Sequence, residues 1–93
     1  MDFKESNEIF ADIYSIIVAI EGLEKAFIKD ALMLEEYTAA CSKLIAQFKT
    51  GASLLGANFK LEKFVRDYQL SCPAAVRRIE IGVPATVEHS VIK

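Results

Sequence analysis

Apolar residues recur every three or four positions from Ile9 onward. On a helix turning about 100° per residue, Ile9, Ile13, Ile16, Ile20, Leu23 and Phe27 share one stripe. Phe10, Tyr14, Ile17 and Ile28 lie to one side of it, and Val18 widens the band further. The spacing predicts a helix over residues 7–29, with Asp2 and Glu5, or Ser6, as capping groups at its start. The apolar band covers roughly half the circumference, whereas packing on a single neighbour needs an arc of only about 100°. This helix is wide enough for two neighbours.

A short connection, Lys29 to Met33, precedes a second predicted helix over 34–50. Its stripe is narrow: Tyr37, Cys41, Leu44 and Phe48 form the front, with Ile45 beside them, and Gly51 is placed to end it. Two helices joined by so short a loop form an antiparallel hairpin. The glycine-containing GASLLGAN reads as a loop. A third helix is expected over 60–69, with Leu61, Phe64, Val65 and Tyr68 on one face. Pro73 suits the first turn of a fourth helix, about 73–80, in which Val76 and Ile79 pack, Arg77 and Arg78 face water, and Gly82 marks the end. The tail VPATVEHSVIK has no partner strand and reads as coil. The expected fold is therefore all-α: a long antiparallel helical hairpin followed by two short helices, with no sheet. Residues 1–82 form the domain and 83–93 an extended or disordered tail.

The run EYTAACSKLIAQFK adds a second peculiarity. Behind the Tyr37–Phe48 front lie Ala39, Ser42 and Ala46, where a solvated helix usually carries long charged side chains. Alanine is the best helix former, which alone could account for it. Short side chains also let a neighbouring backbone come close, near the lower end of the 8–10 Å range for helix pairs.

Composition sharpens the picture. At 53% hydrophobic, the 93 residues exceed the usual share for a soluble domain, and their core is small. The excess either makes a small but strongly apolar core or meets another protein; it does not point to lipid, because no run approaches the roughly 18 apolar residues of a membrane span. The net charge of −2 recruits no nucleic acid; residues 1–50 carry five basic against nine acidic side chains, residues 51–93 six against four. Cys41 and Cys72 make no C-x-x-C pair, and His89 stands alone, so no zinc set forms. With the acidic, polar MDFKESNE in front and no secretion signal, both thiols are expected to be free and buried. No phosphate loop and no nucleophile–histidine arrangement is present, and Glu35 and Glu36, being adjacent, point to different sides of a helix. The chain is expected to be neither an enzyme nor a cofactor binder, with no metal site.

The runs LEKAFIKD, EYTAACSKLIAQFK and FVRDYQLSCPAAVRRI, in that order, resemble the N-terminal domain of the vacuolar protein sorting-associated protein 28 family over about residues 7–87. That family supplies a subunit of the endosomal sorting complex required for transport I (ESCRT-I). The resemblance implies a non-catalytic core-assembly domain whose hairpin packs beside the tumour susceptibility ubiquitin-binding subunit, with a third core subunit beyond. Such a complex sorts ubiquitylated cargo into multivesicular bodies, and the resemblance places it in the cytoplasm, recruited peripherally to the endosomal membrane. Met33 stands where the family has a Ser or Thr cap, with Asp30 as a possible substitute, and Gly51 is expected to shorten the second helix. Family members continue into another helix and a C-terminal domain that recruits ESCRT-II. The 93 residues are expected not to include that domain, so only the core-assembly role is expected to carry over.

The partner-facing candidates are Ile13, Ile16, Ile17, Ile20 and Phe27 on the first helix and Ala39, Ser42 and Ala46 on the second. Tyr37, Cys41, Leu44 and Phe48 are expected to close the hairpin. Alone, the domain is expected to be marginal or to self-associate. Two other readings compete: a stand-alone adaptor holding a partner helix in a groove, and a nucleic-acid module using Lys60, Lys63, Arg66, Arg77 and Arg78.

Overall fold

The computed structural model describes residues 2–89. Its helices, in chain order, are α1 (Phe3–Ile28), α2 (Leu34–Leu55), α3 (Leu61–Asp67), α4 (Pro73–Ile81) and α5 (Ala85–Glu88), and no strand occurs among the described residues. The all-α class and the long hairpin are as the periodicity predicts. Among the described residues the short helices that follow number three, not two. The stretch read as coil contains α5; its last residues, 90–93, lie outside the described residues.

α1 starts four residues before the expected boundary because Asp2 and Glu5 close a capping box. The Glu5 N–H donates to Asp2 Oδ1 at 2.8 Å and the Asp2 N–H to Glu5 Oε1 at 3.4 Å. At its other end the Ala31 N–H reaches Ala26 O (2.9 Å) and the Asp30 N–H reaches Phe27 O (3.0 Å), a Schellman turn with Asp30 in the left-handed region at φ 58°. Asp30 therefore ends α1 and does not cap α2. At the start of α2 the Met33 side chain makes no capping bond, and Glu36 Oε1 instead accepts the Met33 N–H at 3.4 Å.

Gly51 does not end α2; the helix runs through it to Leu55. A Cβ at position 51 would lie 3.2 Å from Ile13 Cγ1 and 3.4 Å from its Cδ1. Gly51 is therefore a point of close approach between α1 and α2, and its missing side chain makes room for Ile13.

α1 packs against both α2 and α4, and α5 packs on α2. The wide apolar band of α1 thus finds its second neighbour within the same chain. Ile13, Ile17 and Ile20 are fully enclosed, in a cluster with Phe48, Phe64, Cys72 and Ala75. Burying each such side chain stabilises the fold by about 1.5–3 kcal/mol. Phe64 of α3 sits between Phe10 (6.0 Å between ring centroids) and Phe59 (5.8 Å). A second cluster joins Tyr37, Cys41 and Ile45 to Ala85, with Phe27 stacked on Tyr37 at 4.0 Å. On α2 the buried line is Tyr37, Cys41, Ile45 and Phe48; Leu44 is only half-buried, because α5 draws the buried arc toward Ile45.

Candidate functional site

Two features stand out: a buried ionic network at the junction of α1, α2, α4 and α5, and an uncovered face on the hairpin.

The network centres on Glu24. Its Oε1 accepts from Arg78 Nε at 2.9 Å, and its Oε2 accepts from the Tyr37 hydroxyl at 2.5 Å and from Cys41 Sγ at 3.7 Å. Arg78 Nη1 donates to Glu88 Oε1 (2.9 Å) and to Val83 O (3.1 Å), and the Tyr37 oxygen accepts the Ala85 N–H at 3.0 Å. One turn back on α1, Glu21 Oε1 accepts the Ala75 N–H at 2.9 Å, satisfying a free donor in the first turn of α4, where the helix dipole favours negative charge. Lys25 lies 3.5 Å from Glu21 on its solvent side. No buried side-chain nitrogen or oxygen among the described residues lacks a partner. A network of this kind is costly only when incomplete.

Its electrostatics follow from burial. Desolvation, then the bond to Glu24, pushes the Tyr37 hydroxyl well above the ordinary tyrosine range. Burial raises the thiols of Cys41 and Cys72, leaving them protonated and poorly nucleophilic at neutral pH. Burial alone would lower Arg78, but its bonds to Glu88 and Glu24 outweigh that and hold it above the usual guanidinium value. Arg78 in turn holds the Glu88 carboxyl below the usual carboxylate range.

Arg78, expected in water, is only 7% exposed. This also breaks up the basic cluster on which a nucleic-acid reading rested. Arg78 is consumed internally and Lys63 is paired with Asp67 at 2.5 Å. The sequence carried a signal for the network that periodicity in apolar residues alone passes over. Glu21 and Glu24 fall inside the apolar arc of α1, flanking Ile17, and Arg78 shares a face of α4 with Ala75, three positions before it.

The partner-facing candidates divide. Ile13, Ile17 and Ile20 are buried against residues of α2, α3 and α4, and of the three only Ile13 borders the open groove between α1 and α2. Phe27 is half-buried against Tyr37. Ile16 is half-buried, and Ala39, Ser42 and Ala46 are exposed. Ile16 and Ala46 lie together in an open groove between α1 and α2, with Ile9, Ile13, Gly51 and Leu54 as its apolar lining and Asp12, Lys43 and Gln47 among its polar residues. Ala39 and Ser42 line a shallower depression with Leu34, Glu35 and Thr38. Of the four residues expected to close the hairpin, Tyr37, Cys41 and Phe48 are buried.

Among the described residues there is no group of three or more His, Cys, Asp or Glu that could hold a metal ion, and no helix long and apolar enough to cross a membrane. The geometry defines a class: an all-α hairpin domain, locked by a buried charge network, with an apolar groove along its long helices. The chain belongs to the VPS28 protein family, which matches it over residues 10–93. Vacuolar protein sorting-associated protein 28 of Dictyostelium discoideum is 47% identical over 89 residues, covering 94% of this chain and 31% of that protein. Homolog 1 of the same protein in Arabidopsis thaliana is 49% identical over 92% of this chain and 42% of its own length. The Saccharomyces cerevisiae protein is 33% identical over 95% and 39% respectively. This chain thus spans well under half the length of these relatives.

Proposed function

We propose that this chain is a non-catalytic structural element of an ESCRT-I complex, serving the sorting of ubiquitylated cargo into multivesicular bodies. Its hairpin packs side by side with the tumour susceptibility subunit, with a third core subunit beyond. It acts on the cytoplasmic side of the endosomal membrane and reaches that membrane through the complex. Membership in the VPS28 family supports the sorting role. The observation that carries the packing role is the groove between α1 and α2. Ile9, Ile16 and Leu54 remain partly or largely exposed there, beside a side of α2 kept low by Ala39, Ser42 and Ala46. A helix from another subunit laid along it would cover apolar surface that this chain leaves in water.

The test is co-expression with the ESCRT-I subunits, using wild type and the variants Ile16→Asp and Ala46→Glu. Both positions are accessible, so circular dichroism should show the fold retained while co-purification with the tumour susceptibility subunit falls. Undiminished co-purification of both variants would remove the groove as the contact. Capture of an isolated helix without any stable ESCRT-I complex would favour the stand-alone adaptor instead.

A further inference from the structure

The charge network is built in two layers. The inner layer belongs to α1, α2 and α4 alone: Glu24 accepts from Arg78 Nε, the Tyr37 hydroxyl and Cys41 Sγ. The outer layer comes wholly from residues 83–88. It comprises the Val83 carbonyl and the Glu88 carboxylate on Arg78 Nη1, the Ala85 N–H on the Tyr37 oxygen, and a hydroxyl contact between Thr86 and Thr38. Lifting 83–88 away leaves every inner bond in place. The atoms that lose a partner, Arg78 Nη1, the Tyr37 lone pair and the Thr38 hydroxyl, are those that then meet water, and Thr38 keeps its bond to the Leu34 carbonyl, so no polar group is stranded in a dry site.

The segment is also poorly held by anything else. α5 has four residues, too few to persist as a helix by itself. Only Pro84 and Ala85 are buried, while Val83 and Val87 are exposed. A pivot precedes it: Gly82 sits in the left-handed region at φ 89°, where a side chain would be strained. Beneath lie Tyr37, Cys41 and Ile45, and along its edge runs a groove lined by Ser42, Ile45, Ala46 and Lys49 of α2.

We propose that residues 83–88 are a releasable strap, which swings off about Gly82 without unfolding the hairpin and uncovers Tyr37, Cys41 and Ile45 as a continuation of the exposed Ala39–Ser42–Ala46 face. The strap is a local opening unit, separate in stability from the α1–α2–α4 core. Its release doubles as a switch in what α2 presents: a low, narrow face when closed, a wider apolar strip when open. The device stands whether or not the ESCRT-I reading holds, because its test involves no partner.

Native-state hydrogen exchange on the 93-residue chain reads it directly. The Ala85 amide, bonded to Tyr37, reports the strap; the Ala75 amide, bonded to Glu21, reports the core. Ala85 is expected to exchange at least about a hundredfold faster than Ala75. In a Cys72→Ser background, which puts a good capping residue before Pro73, Cys41 is the sole thiol and lies under the strap. Glu88→Gln should speed both Ala85 exchange and Cys41 labelling by about tenfold. Exchange of Ala85 and Ala75 at one common rate overturns the proposal, as does Cys41 labelling that Glu88→Gln does not alter.

Discussion

The Tyr37 hydroxyl donates to Glu24 at 2.5 Å and accepts the Ala85 N–H at 3.0 Å, tying α2 to α1 and α5 through one oxygen. Tyr37→Phe keeps the ring stacked on Phe27 but withdraws one of the donors to Glu24 and the acceptor for Ala85. The expected loss is about 1–3 kcal/mol. Urea unfolding should show it as a lower midpoint at unchanged slope.

Arg78→Met should be more damaging. It leaves Glu24 buried opposite an apolar side chain, and breaking one member of a buried pair costs about 3–5 kcal/mol. Arg78→Lys should rescue poorly, since an ammonium cannot span Glu24, Val83 and Glu88 as the guanidinium fork does. In the double variant with Glu24→Gln the stranded charge is gone, so the combined loss should fall below the sum of the single losses. Thermal unfolding of the four proteins closes the cycle; strict additivity would show that the two side chains do not interact.

Stability should depend on pH through Glu88. Its folded value lies below the ordinary 4.5 because Arg78 stabilises the carboxylate. The contribution is therefore full above about pH 4.5 and declines as the pH falls through the lower folded value. Urea midpoints of wild type and Glu88→Gln should differ near pH 7 and converge on acidification. A gap that stays constant would mean that the carboxylate's charge is not what matters.

Two glycines should respond in opposite directions. Gly22 is exposed in mid-helix with nothing within 4 Å of an added Cβ, so Gly22→Ala should stabilise by about 0.5–1 kcal/mol. At Gly51 a larger residue meets Ile13 inside the closed hairpin. Gly51→Val should cost about 1–3 kcal/mol through overpacking. Thermal midpoints of the two variants should lie on opposite sides of wild type.

Most of the helical layout was legible because apolar spacing reports it directly. The hairpin followed from a short connection between two periodic runs, and Pro73 announced α4. What escaped was of two kinds. Gly51 read as a terminator because local propensity knows nothing of Ile13 across the interface. Arg78 read as solvated, and Glu21 and Glu24 drew no reading, because the partners that make their burial tolerable lie far along the chain. The same blindness affected the candidate face. Ile13, Ile17 and Ile20 seemed available to a partner since the apolar band of α1 is wider than one neighbouring helix needs. Ile16 stays partly exposed, and Ala39, Ser42 and Ala46 exposed, among the described residues.

The first turn of α4 is completed by a carboxylate 54 positions earlier, and the same separation divides Glu24 from Arg78. Such contacts appear only after a long loop has closed, so the α1–α2 hairpin should assemble first and α4 should join after the rate-limiting barrier. Removing the Glu21 carboxylate would then hasten unfolding while leaving the refolding rate nearly untouched.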